Sequence, residues 1–281
     1  MAKQFVWLKD ELVPLAQARV SVNDRGFQFG DGLFETLRAD RGRVYFLPEH
    51  LDRFKASART FRLPIPAALP WEERLGRLLT ANNLARGSAR IKILLTRGIA
   101  SGLGLPEDCH PTLVIWAHPY TAPPLAEYAA GWPVVVFPEG RSTFVGRYKS
   151  LNYLFYLAAR QYALDHGAQE ALILEADGLV SEGAATSLIY LHQGQFYTPA
   201  APSALTGVTL AVLRRGLDAH GGTLKSRPTT VAQLQAADGL WLANSLMGLM
   251  PVAAIDGTPL PLSDATAFLQ KIQLSVFNTD H

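Results

Sequence analysis

Val145-Gly146-Arg147-Tyr148-Lys149-Ser150-Leu151-Asn152-Tyr153 follows a strand-like run, Trp132 to Phe137, and leads into a helix-like segment, Leu151 to His166. A lysine at such a joint can be half buried and held by a rigid frame on both sides. Burial disfavours the ammonium form and lowers the lysine pKa from about 10.4, leaving a neutral amine able to attack a carbonyl. A lone lysine ahead of a helix is far more often the mark of a solvated flank. The reading therefore turns on what the rest of the chain offers this one.

Upstream, Phe5–Leu8, Gly32–Ala39 and Arg43–Phe46 read as strands, the last two joined by an Asp40-Arg41-Gly42 turn. Pro48 then opens a helix on which Leu51, Phe54, Ala58 and Phe61 recur at helical spacing. Trp71–Ala85 predicts a second helix, and Ala89–Thr96 and Thr112–Ala117 two more strands. Residues 118–125 (His118-Pro119-Tyr120-Thr121-Ala122-Pro123-Pro124-Leu125) predict a stiff linker, because prolines exclude helix. Downstream of it, Glu170–Glu175, Leu179–Glu182, Ser187–His192 and Gln195–Tyr197 read as a meander turning at Asp177-Gly178 and Gln193-Gly194. Helices are expected over Thr209–His220 and Ser263–Phe277, with strands at Gly239–Ala243 and Pro251–Ile255. The pattern predicts an α+β chain of two unequal domains, residues 1–117 and 126–281.

Four stretches could supply partners for Lys149. Glu182, at the end of a short strand and followed by the small residues Gly183-Ala184-Ala185, could hold a heteroaromatic nitrogen protonated, or be an ordinary turn acid. Leu205-Thr206-Gly207-Val208-Thr209 opens a helix at a glycine, an arrangement that binds phosphate or merely caps the helix. Arg53 could add a charged fork to such a phosphate, or be the solvated side of its helix. Trp241-Leu242-Ala243-Asn244-Ser245-Leu246-Met247-Gly248-Leu249-Met250-Pro251 ends one strand in Asn-Ser and restarts another after Gly248, offering a hydroxyl and open amides, or is a plain strand-to-strand turn with the two methionines as core filler. In Phe29-Gly30-Asp31-Gly32-Leu33-Phe34-Glu35-Thr36-Leu37, alternation puts Phe34, Thr36 and Arg38 on one face and Leu33, Glu35 and Leu37 on the other.

The 281 residues are 48 % apolar and 18 % charged, which reads as a globular protein with ample core. A net charge of +2 supplies no field for nucleic acid or an acidic membrane surface. The single cysteine, Cys109, forms no internal disulfide and fits a reducing compartment. The opening Met1-Ala2-Lys3-Gln4-Phe5 lacks the apolar core of a signal peptide, and no run reaches the ~18 apolar residues of a membrane span. The expectation is a cytoplasmic enzyme. The chain carries no Gly-rich dinucleotide fingerprint or Gly-Lys-Ser/Thr phosphate loop, and its seven histidines show no metal-binding spacing.

Read together, Phe27-Gln28-Phe29-Gly30-Asp31-Gly32, Pro48-Glu49-His50-Leu51-Asp52-Arg53, the Lys149 segment, Glu182 and Met250-Pro251-Val252 resemble the fold-type IV pyridoxal-phosphate enzymes. That family includes branched-chain and D-amino-acid aminotransferases and aminodeoxychorismate lyase. The resemblance runs nearly end to end. It implies a small N-terminal α/β domain, a larger C-terminal domain with a β-barrel-like sheet, and pyridoxal 5′-phosphate in the cleft between them. It further implies that Lys149 is the Schiff-base lysine and Glu182 its pyridinium partner. Arg53, Gly207, Val208, Thr209 and Ser245 are the implied phosphate cradle, and a homodimer acting on a small molecule the implied form.

Within the family, Asn244-Ser245-Leu246-Met247 is similar to the Asn-x-Leu-Met segment of the lyases. Thr36 falls where they carry a threonine thought to protonate the departing enolpyruvate. The expectation from sequence is therefore the lyase, forming 4-aminobenzoate and pyruvate, with a branched-chain or D-amino-acid aminotransferase as the alternative. Phe29, Arg97, Leu246 and Met247 are the expected substrate contacts. Thr96-Arg97-Gly98-Ile99-Ala100-Ser101-Gly102-Leu103-Gly104 departs from both branches, so Arg97, Arg147 or Arg25 would have to meet a substrate carboxylate.

Overall fold

The computed structural model describes residues 4–66 and 69–279. Two compact units emerge: one runs to Thr121 and takes in Tyr148–Asn152, and the other comprises Ala122–Arg147 and the chain from Tyr153 onward.

The first unit is built on β1 (Phe5–Leu8), β2 (Glu11–Pro14), α1 (Arg25–Phe29), β3 (Gly32–Asp40), β4 (Arg43–Val44), α2 (Leu47–Thr60), α3 (Trp71–Ala81), β5 (Ser88–Thr96) and β6 (Thr112–Pro119). Its strands form one antiparallel sheet in the order β2-β1-β6-β5-β3-β4. Alternation along β3 and β5 sends Leu33, Leu37, Ala39, Ile91, Ile93 and Leu95 to one face, where Leu51, Phe54 and Ala58 of α2 and Leu75, Leu78 and Leu79 of α3 cover them. Each Leu, Ile or Phe among them contributes roughly 1.5–3 kcal/mol by leaving water. The strand expected over Arg43–Phe46 stops at Val44, because Phe46 takes a left-handed conformation, φ 54°, and turns the chain into α2. β6 runs on through Pro119, into residues read from sequence as linker.

The second unit contains α4 (Leu125–Ala130), β7 (Trp132–Val136), α5 (Leu154–Asp165), β8 (Glu170–Leu174), β9 (Val180–Gly183), β10 (Ser187–His192), β11 (Gln195–Pro199), α6 (Val208–Ala219), β12 (Leu224–Arg227), α7 (Val231–Gln235), β13 (Gly239–Asn244), β14 (Gly248–Ile255), β15 (Thr258–Pro259) and α8 (Ala265–Thr279). Its nine-stranded sheet runs β12-β11-β10-β13-β14-β7-β8-β9, with β15 on β14. The expected meander is thus two separate hairpins. β8–β9 closes one end of the order, while β10–β11 lies beyond β13, because β13 pairs antiparallel with β10 and inserts between them. α5 begins at Leu154 rather than Leu151: Ser150 bridges Leu33, and the Leu151 amide donates to Gly32 O at 3.0 Å, so that stretch is extended. Among the described residues no helix is long and apolar enough to cross a membrane.

Candidate functional site

Lys149 lies in the first unit, on an extended segment paired to the start of β3. The Phe34 amide donates to Lys149 O at 2.8 Å, and the Leu33–Ser150 bridge follows directly. Two backbone bonds to β3, one at the carbonyl of Lys149 and one at the Leu151 amide, hold this segment in place. Its Nζ stands 4.7 Å from the centroid of the Phe34 ring, and Lys92 Nζ stands 4.4 Å from the same ring. The strand period places Thr36 on that face, opposite Lys92 in register. Lys149 and Thr36 thus share one side of β3.

The other side of β3 carries Glu35, only 1 % exposed. Arg53 Nε and Nη2 donate to its two oxygens at 2.8 and 2.6 Å, and His50 Nδ1 lies 2.8 Å from Oε2. Burial pushes the Glu35 carboxyl up, but the Arg53 charge and the hydrogen bonds from His50 and Arg53 outweigh it and hold the pKa at about 2. Burial pushes His50 below its ordinary value, only partly opposed by Glu35. With Glu35 ionised and His50 neutral, Nδ1 carries the imidazole proton and donates it to the carboxylate.

The arginines expected to meet a substrate are engaged elsewhere. Arg97 donates to Asp31 through Nε at 2.8 Å and Nη2 at 3.1 Å, and to the Arg62 and Phe61 carbonyls, both at 2.9 Å. Arg25 donates to the same Asp31 at 2.8 Å and to the Gly102 carbonyl, and its guanidinium covers the half-exposed Phe29 ring at 5.4 Å. The two cations and their hydrogen bonds lower the Asp31 pKa against the opposing pull of burial. Cys109 donates its thiol to Arg97 O at 3.2 Å, and burial raises its pKa, so it stays a protonated, weakly nucleophilic thiol. Arg147, in the second unit, donates to Pro202 O at 2.6 Å.

Within the second unit Glu182 is 7 % exposed. It accepts from Tyr156 Oη at 2.7 Å and from the Leu205 amide at 3.1 Å. Burial and then the Glu182 charge raise the Tyr156 pKa, so the phenol remains a donor. The Arg141 guanidinium stacks over the Tyr156 ring at 4.6 Å. Gly207 is the N-cap of the twelve-residue α6 and supplies no capping side chain; a Cβ there would overlap Ser187 Oγ. The first-turn amides at Val208 and Thr209 therefore meet no capping side chain, and Thr209 Oγ1 lies 3.4 Å from Ser245 Oγ. The helix dipole, those amides and two hydroxyls together suit a phosphate.

A cavity of about 270 Å³ has Glu182, Leu205, Thr206 and Gly207 in its wall, but not Val208, Thr209 or Ser245. At the β13–β14 turn, Asn244 Oδ1 accepts from the amides of Leu246 at 3.0 Å and Met247 at 2.9 Å. Leu246 is partly exposed, whereas Met247, expected to touch substrate, buries its side chain in the core. Sequence reasoning missed Tyr156, Arg141 and the Glu35–His50 pair. The last had one available signal: His50 and Arg53 stand three apart on a predicted helix and so share a face. Among the described residues no group of three or more His, Cys, Asp or Glu could hold a metal ion.

Residues 32–255 match the model of the family described as amino-transferase class IV. The chain is 34 % identical over 260 residues to a putative branched-chain-amino-acid aminotransferase of Methanocaldococcus jannaschii, covering 90 % of this chain and 88 % of that one. It is 31 % identical over 256 residues to a D-alanine aminotransferase of Staphylococcus epidermidis, with 90 % and 89 % covered. It is also 30 % identical to branched-chain-amino-acid aminotransferase-like protein 1 of Arabidopsis thaliana, of which it spans 47 % of the length. Its fold is shared with the branched-chain aminotransferase of Thermoproteus uzoniensis, at TM-score 0.88 and 23 % identity, over 99 % of this chain and 96 % of that one.

Proposed function

This chain belongs to the class IV aminotransferase family, and on that premise we propose that it is a pyridoxal-5′-phosphate enzyme moving the amino group of a branched-chain or D-amino acid to a 2-oxo acid. The observation that carries the reading is the backbone clamp on Lys149, whose carbonyl and following residue are both paired to β3. Such a clamp aims one amine with little freedom, as a covalent and acid–base lysine requires. The relatives are aminotransferases, and they move the weight from the lyase that the sequence alone favours to amino transfer.

Pyridoxal 5′-phosphate, when bound, supplies an electron sink for a carbanion formed beside the transferred nitrogen. The residues fit it. From the first unit we assign Lys149 as the group that holds the cofactor and then, as a neutral amine, moves the substrate's α-proton through Nζ. Arg53 takes the phosphate with a guanidinium held by Glu35. From the second unit we assign Glu182, an anion fixed by Tyr156 and Leu205, to keep a proton on the ring nitrogen. Gly207, Val208, Thr209 and Ser245 supply the amides and hydroxyls for the phosphate. The exposed apolar side chains of Phe27, Ile99 and Leu103 on the first unit support a homodimer as the acting form.

One observation favours a second reading, the aminodeoxychorismate lyase. Thr36 lies on the Lys149 side of β3, where a hydroxyl could protonate a leaving enolpyruvate. A direct comparison decides between them. Cofactor-loaded protein is given L-leucine, L-valine or D-alanine with 2-oxoglutarate, and separately 4-amino-4-deoxychorismate. Glutamate formation from one of the amino acids is the expected result. Release of 4-aminobenzoate with no amino transfer would replace this reading by the lyase.

A further inference from the structure

Glu35 stands in a row of core side chains. Its neighbours in the strand alternation, Leu33 and Leu37, lie in the hydrophobic core of the first unit, and Glu35 itself is almost wholly buried. A carboxylate in that row is costly unless it is paired, and even a well-paired buried ion pair is often no more stable than apolar residues of the same size. Stability alone therefore does not account for its presence.

The pairing is directional. Glu35 takes the edge of the Arg53 guanidinium formed by Nε and Nη2, one hydrogen bond to each oxygen. That bidentate grip fixes both the plane and the heading of a side chain that otherwise carries about 2 kcal/mol of rotamer entropy. His50 sits one turn earlier on α2, is 0 % exposed, and contacts Oε2 of the same carboxylate through Nδ1 at 2.8 Å. Its Nε2 is buried without a hydrogen-bond partner among the described residues. The hydrogen bond of the His50 ring is its Nδ1 contact to Glu35, which braces the carboxylate.

We propose that Glu35 and His50 are positioning residues, which hold the Arg53 guanidinium in the orientation that receives the cofactor phosphate. The assignment rests on the cofactor reading above and concerns one part of it, the phosphate. It separates these residues from those that meet the cofactor's ring, because their effect must vanish when the phosphate is absent.

The test compares pyridoxal 5′-phosphate with pyridoxal, which lacks the phosphate, in titrations of the cofactor-free full chain. The variants are Glu35→Gln, His50→Gln and, as reference, Arg53→Ala. Glu35→Gln is expected to weaken pyridoxal 5′-phosphate binding by about 10- to 100-fold and to leave pyridoxal within about twofold. His50→Gln should show the same selectivity at a smaller, several-fold size, and serves alone should Glu35→Gln not fold. Equal weakening of both aldehydes, or of neither, overturns the proposal. Wild-type protein that binds neither would overturn the cofactor reading itself, a result distinct from either of those.

Discussion

Tyr156 donates its phenolic proton to Oε1 of Glu182 at 2.7 Å, while the Leu205 amide donates to Oε2 at 3.1 Å. Each oxygen of the acid is therefore held by a different element, α5 on one side and the approach to α6 on the other. Hydrogen bonds to a charged, buried group contribute about 1.5–3 kcal/mol, and breaking one leaves the charge under-solvated. Tyr156→Phe is expected to lower stability by about that amount. Denaturant unfolding checks it, and an unchanged midpoint would show that Tyr156 does not support Glu182.

Acid should unfold the first unit in two overlapping stages, both of one sign. Glu35 is held near 2 in the folded protein against an ordinary 4.5, so its stabilisation is complete above about pH 4.5 and is lost as pH falls toward 2. His50 is also depressed from its ordinary 6.5, so the unfolded chain takes up that proton first and stability begins to decline below pH 6.5. Glu170, buried in the second unit, has the opposite sign there: burial raises its pKa, so its contribution favours that unit's folded state as it protonates. Melting temperature measured from pH 8 down to pH 3 should fall in wild type and fall less steeply in Glu35→Gln.

Two glycines with nearly the same φ should respond very differently to alanine. Gly178 has φ 85° and open space around it, so Gly178→Ala costs only the left-handed strain of about 1–2 kcal/mol. Gly98 has φ 83°, and a Cβ there would overlap the His110 carbonyl oxygen. The same strain plus that overlap makes Gly98→Ala the more damaging change, and thermal melts of the two variants side by side check the order.

Much of this arrangement is legible in the amino-acid sequence. The alternation from Leu33 to Arg38 predicted which side chains share a face, and the structure buries the Leu33, Glu35 and Leu37 side, because a strand's side chains alternate with a period of two. The helix at Leu47–Thr60 was announced by Pro48 and its apolar spacing. What stayed hidden was set by partners far away in sequence. Leu151 read as the start of a helix, yet Ser150 and Leu151 are tied to β3, more than a hundred residues earlier, which offers Leu33 and Gly32 to them. The order of β8 to β11 was hidden for the same reason, since β13 decides it. α1 went unseen because it is five residues long with Gly26 inside, closed only by Asp24 at one end and the left-handed Gly30 at the other. Arg97 read as an available cation; its engagement with Asp31, Phe61 and Arg62 is a tertiary fact.

Thr36→Ala separates the two chemistries. Thr36 is a minor, partly exposed residue in amino transfer, and its loss should leave that rate within a few fold. Were the lyase the true activity, removing its proton donor would slow 4-aminobenzoate release by about 10²–10⁴-fold. Initial rates of both reactions on the variant check it.

The most direct test of the account is reduction of the cofactor-loaded protein with borohydride, followed by digestion and mass mapping of the pyridoxyl label. Label on the peptide carrying Lys149, and its absence in Lys149→Ala, is the predicted result. Label on another lysine, or on none, would contradict it.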